Sequence, residues 1–366
     1  MRINSSNYRK YTSLLYNTGF FLNYITMTDL QWKNLLDIIN GKLVNPLPVG
    51  FIIDSPWLPG WYGISILDYY TNDELWFQAN KKAIETFPEV MFLPGFWSEL
   101  GMCSEPSAFG ARCSFPQNEF PHAHPMVFTP EDMTGLIKPN PETDGLAPFL
   151  LNRLKLNQSR IEDMDHKIRF SVSRGPLNIA SYLMGTTEFL TNMIMYPDET
   201  HKMLDTITQY LIDWHDLQCT TFSSIDGMLV LDDIIGFIGE EEFKVYALPY
   251  LKKLFDKNLS IKFLHNDAEC DASIDYYPEI GINIYNMAFS TNLNELKKRT
   301  NNKIVMLGNI PPRDVLAAGT EVQVKEAAQQ LVNGLEDQSR VLFSCGGGMP
   351  PGVKTKNIIA FLEGLN

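Results

Sequence analysis

SIKFLHND (residues 260–267) opens as an apolar run and ends on His265-Asn266-Asp267. Side chains of an extended chain alternate with period two, so residues 265 and 267 project to one side where the strand geometry persists. A buried strand ending this way delivers a metal ligand or a proton-transfer group to its mouth. Seven further runs have the same form: PVGFIID (48–54), EVMFLPG (89–95), KIRFSVS (167–173), DGMLVLD (226–232), GINIYNM (281–287), KIVMLGN (303–309) and RVLFS (340–344). Parallel strands buried on both faces require such near-continuous hydrophobicity. Eight of them, separated by helix-length stretches, predict an α/β fold of the (β/α)₈ TIM-barrel type.

The stretches between the runs carry helix signals. In GTEVQVKEAAQQLVNGL (319–335), Thr320 and Gln323 form a capping-box pattern, each side chain able to satisfy a backbone donor of the other. EEEFKVYALPYLKKLFDKN (240–258) starts acidic and ends basic, as the helix dipole favours, and Pro249 should kink or divide it. Residues 96–166 hold two long, Pro-rich connections, expected to form a partial lid over the pocket. Residues 1–45 read as a helical extension packed on the outside of a barrel domain spanning 46–366.

Composition narrows the function. A chain of 366 residues, 45% hydrophobic, can bury a large core. Its net charge of −13 argues against a nucleic-acid partner or an anionic surface and leaves small-molecule chemistry. Five cysteines with no CxxC pair suit a reducing compartment. No secretory layout opens the chain and no apolar run is long enough to span a bilayer, so a soluble cytoplasmic protein is expected.

In such a barrel the C-terminal strand ends face the active site, so polar residues there are the candidates. They are Asp54 and Ser55, Ser173 and Arg174, Asp232 and Asp233, His265 and Asp267, Asn286, Asn309 and Cys345. Trp97 and Glu99 join them from the loop after the second run, and Trp57 offers an aromatic pocket wall. Asp54 and Asp233 also suit capping of the turn that follows. His201 and His215 stand in helical stretches and read as structural. The His122-x-His124 spacing in FPHAHPM is flanked by prolines and reads as a loop that faces solvent or lines the substrate. GGGMPPG (346–352) lacks the Lys and Ser/Thr of a phosphate-binding loop and reads as tight backbone that approaches a ligand closely. No GxSxG elbow occurs, so serine acyl transfer has no support.

Five blocks carry a family resemblance: EPSAFGARCSF (105–115), RGPLNIASYLMG (174–185), LVLDDIIGFIGEEEFKVYALPYLKKLFD (229–256), EIGINIYN (279–286), and LGNIPPRDVLAAGT with CGGGMPPGVKTKNI (307–320 and 345–358). On these the chain resembles the uroporphyrinogen decarboxylase superfamily, from about residue 75 to its end. That superfamily includes the decarboxylase of haem biosynthesis and corrinoid-linked methyltransferases, and the resemblance implies the same barrel. Where the decarboxylase carries an arginine-rich segment to hold substrate carboxylates, this chain reads GFIIDSPWLPGW (50–61). Gly101 stands at the decarboxylase's essential Asp, Gly347 at its C-terminal His, and Tyr182 matches its Tyr. A polycarboxylate substrate needs fixed positive charge to offset its desolvation.

The methyltransferase branch holds zinc with a His-x-Cys pair and a distant Cys. His265 matches the His, Asp267 stands at the first Cys, Gly347 at the second, and Cys345 two residues before it. The resemblance therefore implies either a zinc site of His265, Asp267 and Cys345 or a metal-free pair in which Asp267 is acid or base and His265 its partner. Expected catalytic residues are His265, Asp267, Tyr182 and Glu99. Expected substrate-binding residues are Asp54, Trp57, Trp97, Arg174, Asp232, Asn286 and Gly347. The implied activity is a corrinoid-dependent methyltransferase of the O-demethylase type, moving a methyl group from a small methylated or methoxylated compound to a corrinoid carried by a partner protein. Uroporphyrinogen decarboxylation in porphyrin biosynthesis and a non-catalytic small-molecule-binding barrel are the alternatives.

Overall fold

The structure, a computed structural model, describes residues 28–53 and 56–366. Asp54, and residues 1–27 of the expected N-terminal extension, lie outside the described residues.

Eight parallel strands form one curled sheet: β1 (Val49–Ile52), β2 (Val90–Leu93), β3 (Phe170–Arg174), β4 (Gly227–Leu231), β5 (Ile261–His265), β6 (Ile284–Asn286), β7 (Val305–Ile310) and β8 (Val341–Cys345). Their order is β2-β1-β8-β7-β6-β5-β4-β3, and helices follow the strands around the outside, giving a (β/α)₈ barrel. Each strand coincides with one of the eight apolar runs, to within a residue at its end. Among the described residues no ladder joins β2 to β3. That seam is packed instead by Pro94, Phe96 and Trp97 with Leu150, Leu151 and Leu154 of the helix Ala147–Glu162, around a cavity of about 20 Å³. Part of the long connection expected to form a lid is thus spent closing the barrel wall.

Strand alternation divides the core in two. Ile52, Leu93, Val172, Leu229, Phe263 and Leu307 fill the interior. Phe51, Val230, Leu264, Tyr285 and Phe343 face outward into the layer beneath the helices. Burying one such side chain contributes roughly 1.5–3 kcal/mol, so a slip of one residue, which exchanges the two sets, is strongly disfavoured.

The helix Asp29–Ile39 starts at Thr28, whose hydroxyl accepts the Gln31 amide. Its buried row Trp32, Leu35 and Ile38 joins the interior core rather than the outer layer. Trp32 meets Phe170 edge-on at 5.5 Å, and Gln31 donates to the Val90 carbonyl at 3.4 Å. A methyl group at Gly227 would lie 3.0 Å from the Trp32 ring. All three neighbours begin their strands, so this helix closes the lower end of the barrel instead of wrapping its outside. The capping box at Thr320 and Gln323 is present. Pro249 divides its stretch, with a π-helical turn (Phe243–Ala247) ahead of the helix Leu248–Phe255. Among the described residues no helix is long and apolar enough to cross a membrane.

Candidate active site

On β5 the parity that turns Phe263 inward also turns His265 and Asp267 toward the upper mouth. His265 Nδ1 lies 2.7 Å from Oδ1 of Asn286 on the adjacent strand. Asn286 spends its Nδ2 on the Leu307 carbonyl at 2.8 Å, which fixes Oδ1 as an acceptor. His265 must therefore carry a proton on Nδ1, and neutral imidazole then presents the Nε2 lone pair. Nε2 faces Asp233 Oδ1 at 3.5 Å. The ligand atoms of Asp233, His265 and Asp267 all lie within 4.8 Å of one another.

Asp233 is held from behind. Asn178 Oδ1 accepts the amides of Asp233 and Ile234 at 3.0 and 3.1 Å, while its Nδ2 donates to the Leu231 carbonyl at 3.1 Å. The Asp267 amide donates to Asp233 Oδ1 at 3.2 Å. Asp267 stands at the exposed rim, yet surrounding protein raises its carboxyl pKa; His265 opposes the rise and the neighbouring Asp233 adds to it. One imidazole nitrogen and two carboxylates, close together and open to the mouth, form a donor set that zinc and other divalent first-row metals accept.

Asp232, expected to bind substrate, caps a helix instead, and of the two readings of Asp233 the structure places its side chain with His265. Asp232 has the outward parity of Met228 and Val230 and is fully buried. Its two carboxylate oxygens accept the amides of Leu177 and Asn178, both at 3.0 Å, at the start of the helix Pro176–Met184. A Cβ on Gly175 would fall 2.2 Å from Asp232 Oδ2, so only glycine leaves room for this cap. Burial pushes the Asp232 carboxyl up to about 8, against the two amides that favour its charged form. Asp232 thus anchors a helix, and Asp233, expected as a possible cap, reaches the site.

Two other expectations are corrected, the first by the same parity. Cys345 follows Val341 and Phe343 into the outer core, where burial pushes its thiol up to about 12; it does not converge with His265 and Asp267. Trp57, which precedes the helix Leu58–Tyr62, is fully buried in that layer, donates Nε1 to the Val353 carbonyl at 3.1 Å and stacks on Phe92, so its ring is spent on the outer core. Gly347 does adjoin the site. It has φ +65°, and a Cβ there would fall 3.0 Å from Asp267 Oδ2.

Beside this group, at the β2/β3 seam, lies a second polar cluster. Arg174 points inward and pairs with Glu99 at 3.2 Å, both side chains buried. Its guanidinium lies 5.6 Å from the Trp97 ring centre, and Glu105 accepts its backbone amide at 3.0 Å. Burial opposes the Arg174 charge, but Glu99 and Glu105 outweigh it and hold the group protonated. Glu99 and Trp97 therefore serve Arg174 and do not join the metal-type group. Burial pushes the Tyr182 phenol pKa up; Arg174 opposes the rise, and Asp233 and Glu105 add to it. The His122–His124 pair lies on a short hairpin, Cys113–Ser114 with His122–Ala123, where Ser114 and His124 Nε2 are 2.7 Å apart.

The family model described as uroporphyrinogen decarboxylase (URO-D) matches residues 31–365. A uroporphyrinogen decarboxylase of Alcanivorax borkumensis is 20% identical over 362 residues, covering 93% of this chain and 98% of its own. One from Syntrophotalea carbinolica is 24% identical over 250 residues, covering 66% and 70%. Among solved structures, a methyltransferase from Methanosarcina mazei superposes with a TM-score of 0.77 at 18% identity, covering 90% of this chain and 96% of that one.

Proposed function

The chain belongs to the uroporphyrinogen decarboxylase (URO-D) family, and from that premise we propose that it is a methyltransferase. It moves a methyl group from a small methylated or methoxylated compound to a corrinoid carried by a separate protein. The observation that carries this reading is the convergence of Asp233, His265 and Asp267 at the barrel mouth. Likeness of fold to a methyltransferase supports it at the level of architecture.

The donor set fits a divalent cation, zinc among them. His265 Nε2 and one oxygen each of Asp233 and Asp267 would hold it, and the bound ion would supply Lewis acidity to the oxygen from which the methyl group departs. Asn286 keeps the His265 lone pair turned toward the position such an ion would take, and Asn178 Nδ2, 3.4 Å from Asp233 Oδ2, holds the Asp233 carboxylate in place. A reduced corrinoid delivered by the partner would supply the electron pair that accepts the methyl carbon, while the pair of the broken carbon–oxygen bond would stay on the donor oxygen. Tyr182, kept neutral, donates a hydrogen bond to the oxygen as its charge develops.

Decarboxylation of a porphyrinogen is the second reading, favoured by the names of the relatives. Against it stands Arg174, a buried cation already neutralised by Glu99. Purified protein is expected to methylate a Co(I) corrinoid from one of a panel of methoxylated donors, and to lose both this activity and its bound metal in His265→Ala and Asp267→Ala. Conversion of uroporphyrinogen to coproporphyrinogen, with no donor active, would replace this reading with the second.

A further inference from the structure

We propose that Cys103 and Cys113 are a reversible dithiol–disulfide pair set in the wall of the active site. Cys103 lies between Glu99 and Glu105, the two carboxylates that face Arg174, and is fully buried. Cys113 opens the hairpin with His122–Ala123 and is partly exposed. The two side chains are close enough that each shifts the ionisation of the other. Cys113 Sγ also lies 4.0 Å from the Cys103 carbonyl and 3.6 Å from that of Ala111.

The two sulfurs are chemically unequal. Cys103 is fully buried whereas Cys113 is partly exposed, and their mutual influence favours the thiolate on Cys113 over Cys103. Reaction with an oxidant follows thiolate character and access, so Cys113 is the attacking sulfur and Cys103 the resolving one. Burial raises the pKa of Cys219, Cys270 and Cys345, which keeps them as less reactive thiols.

With a hydroperoxide as oxidant, the Cys113 thiolate attacks the terminal oxygen and the O–O bond breaks. The sulfenic acid forms and hydroxide or alkoxide leaves. Cys103 sulfur then displaces the sulfenic oxygen; the S–S bond forms, and the Cys103 proton leaves with that oxygen as water. Two thiols are oxidised and one peroxide is reduced. The bridge ties the hairpin to the segment bearing Glu99 and Glu105, so the oxidation state of this pair is coupled to the counter-charges of Arg174. This holds whichever reaction the site performs.

Full-length protein is treated with stoichiometric hydrogen peroxide, alkylated under denaturing conditions and mapped by peptide mass spectrometry. Free thiols should fall from five to three, with one cross-linked species joining Cys103 to Cys113 that a dithiol reductant reverses. Cys113→Ser should retain all its remaining thiols, and Cys219→Ser should still form the bridge. Cys103→Ser should stop at a sulfenic acid on Cys113, trapped by dimedone. Retention of all five thiols in the wild type, a bridge between any other pair, or undiminished thiol loss in Cys113→Ser would overturn the proposal.

Discussion

Asn286 Oδ1 and His265 Nδ1 lie 2.7 Å apart across neighbouring strands, and this one hydrogen bond decides which ring nitrogen the barrel mouth sees. Asn286→Ala should weaken divalent metal binding by about 10–100-fold, the usual cost of losing the partner that orients a ligand histidine. Competition against a chelator measures it. Wild-type affinity in Asn286→Ala would show that the bond does not set the ligand.

Gly347 should resist substitution for two reasons. Its φ of +65° costs an L side chain roughly 1–2 kcal/mol, and the added Cβ would lie 3.0 Å from Asp267 Oδ2. Gly347→Ala is expected to lower both denaturant stability and metal affinity. A stability loss with metal binding intact would place the strain in the backbone alone.

Asp232 gives a pH signature. Its carboxyl pKa is raised from 3.8 to about 8 on folding, so between these values the folded state binds more protons than the unfolded. The stabilisation is complete below the lower value and is lost as pH rises through the upper one. Asp232→Asn should flatten the fall in stability across that window, and Asp232→Ala should cost about 1–2 kcal/mol more by removing the helix cap. Urea titrations at several pH values give both quantities. An identical slope in wild type and Asp232→Asn would assign the titration elsewhere.

Trp57→Ala separates packing from function. Removing a fully buried tryptophan costs about 3–5 kcal/mol, and the Trp57 ring bonds Val353 and stacks on Phe92, away from the candidate metal ligands. Melting temperature should drop sharply, while metal stoichiometry in the folded fraction stays at the wild-type value. A parallel loss of metal would return Trp57 to the site.

The strands were legible because burial on both faces demands continuous apolar runs, and that pattern needs no tertiary information. His265 and Asp267 were legible for the same reason, as a polar end to such a run. Asp233 stayed open between a site role and a cap, and Cys345 was misplaced, because parity sorts them only once the inward face of each strand is known. Counting back by twos from Asp233 reaches Leu231 and Leu229, which face inward; from Cys345 it reaches Phe343 and Val341, which face outward. What sequence could not supply was the phase, because an apolar run with both faces buried looks the same from either side. Asn178 lay outside any local pattern, since it acts across 55 residues of chain on Asp233.

The helix that carries Trp32 across the base of the barrel has a consequence for traffic. Among the described residues that end is stoppered by Trp32, Leu35 and Ile38, which leaves the upper mouth as the way to His265 and its neighbours. Under the function proposed above, a methyl donor and the partner that takes its methyl group would have to share that opening or take turns, and a spent donor that lingers would stand in the way of the next visitor.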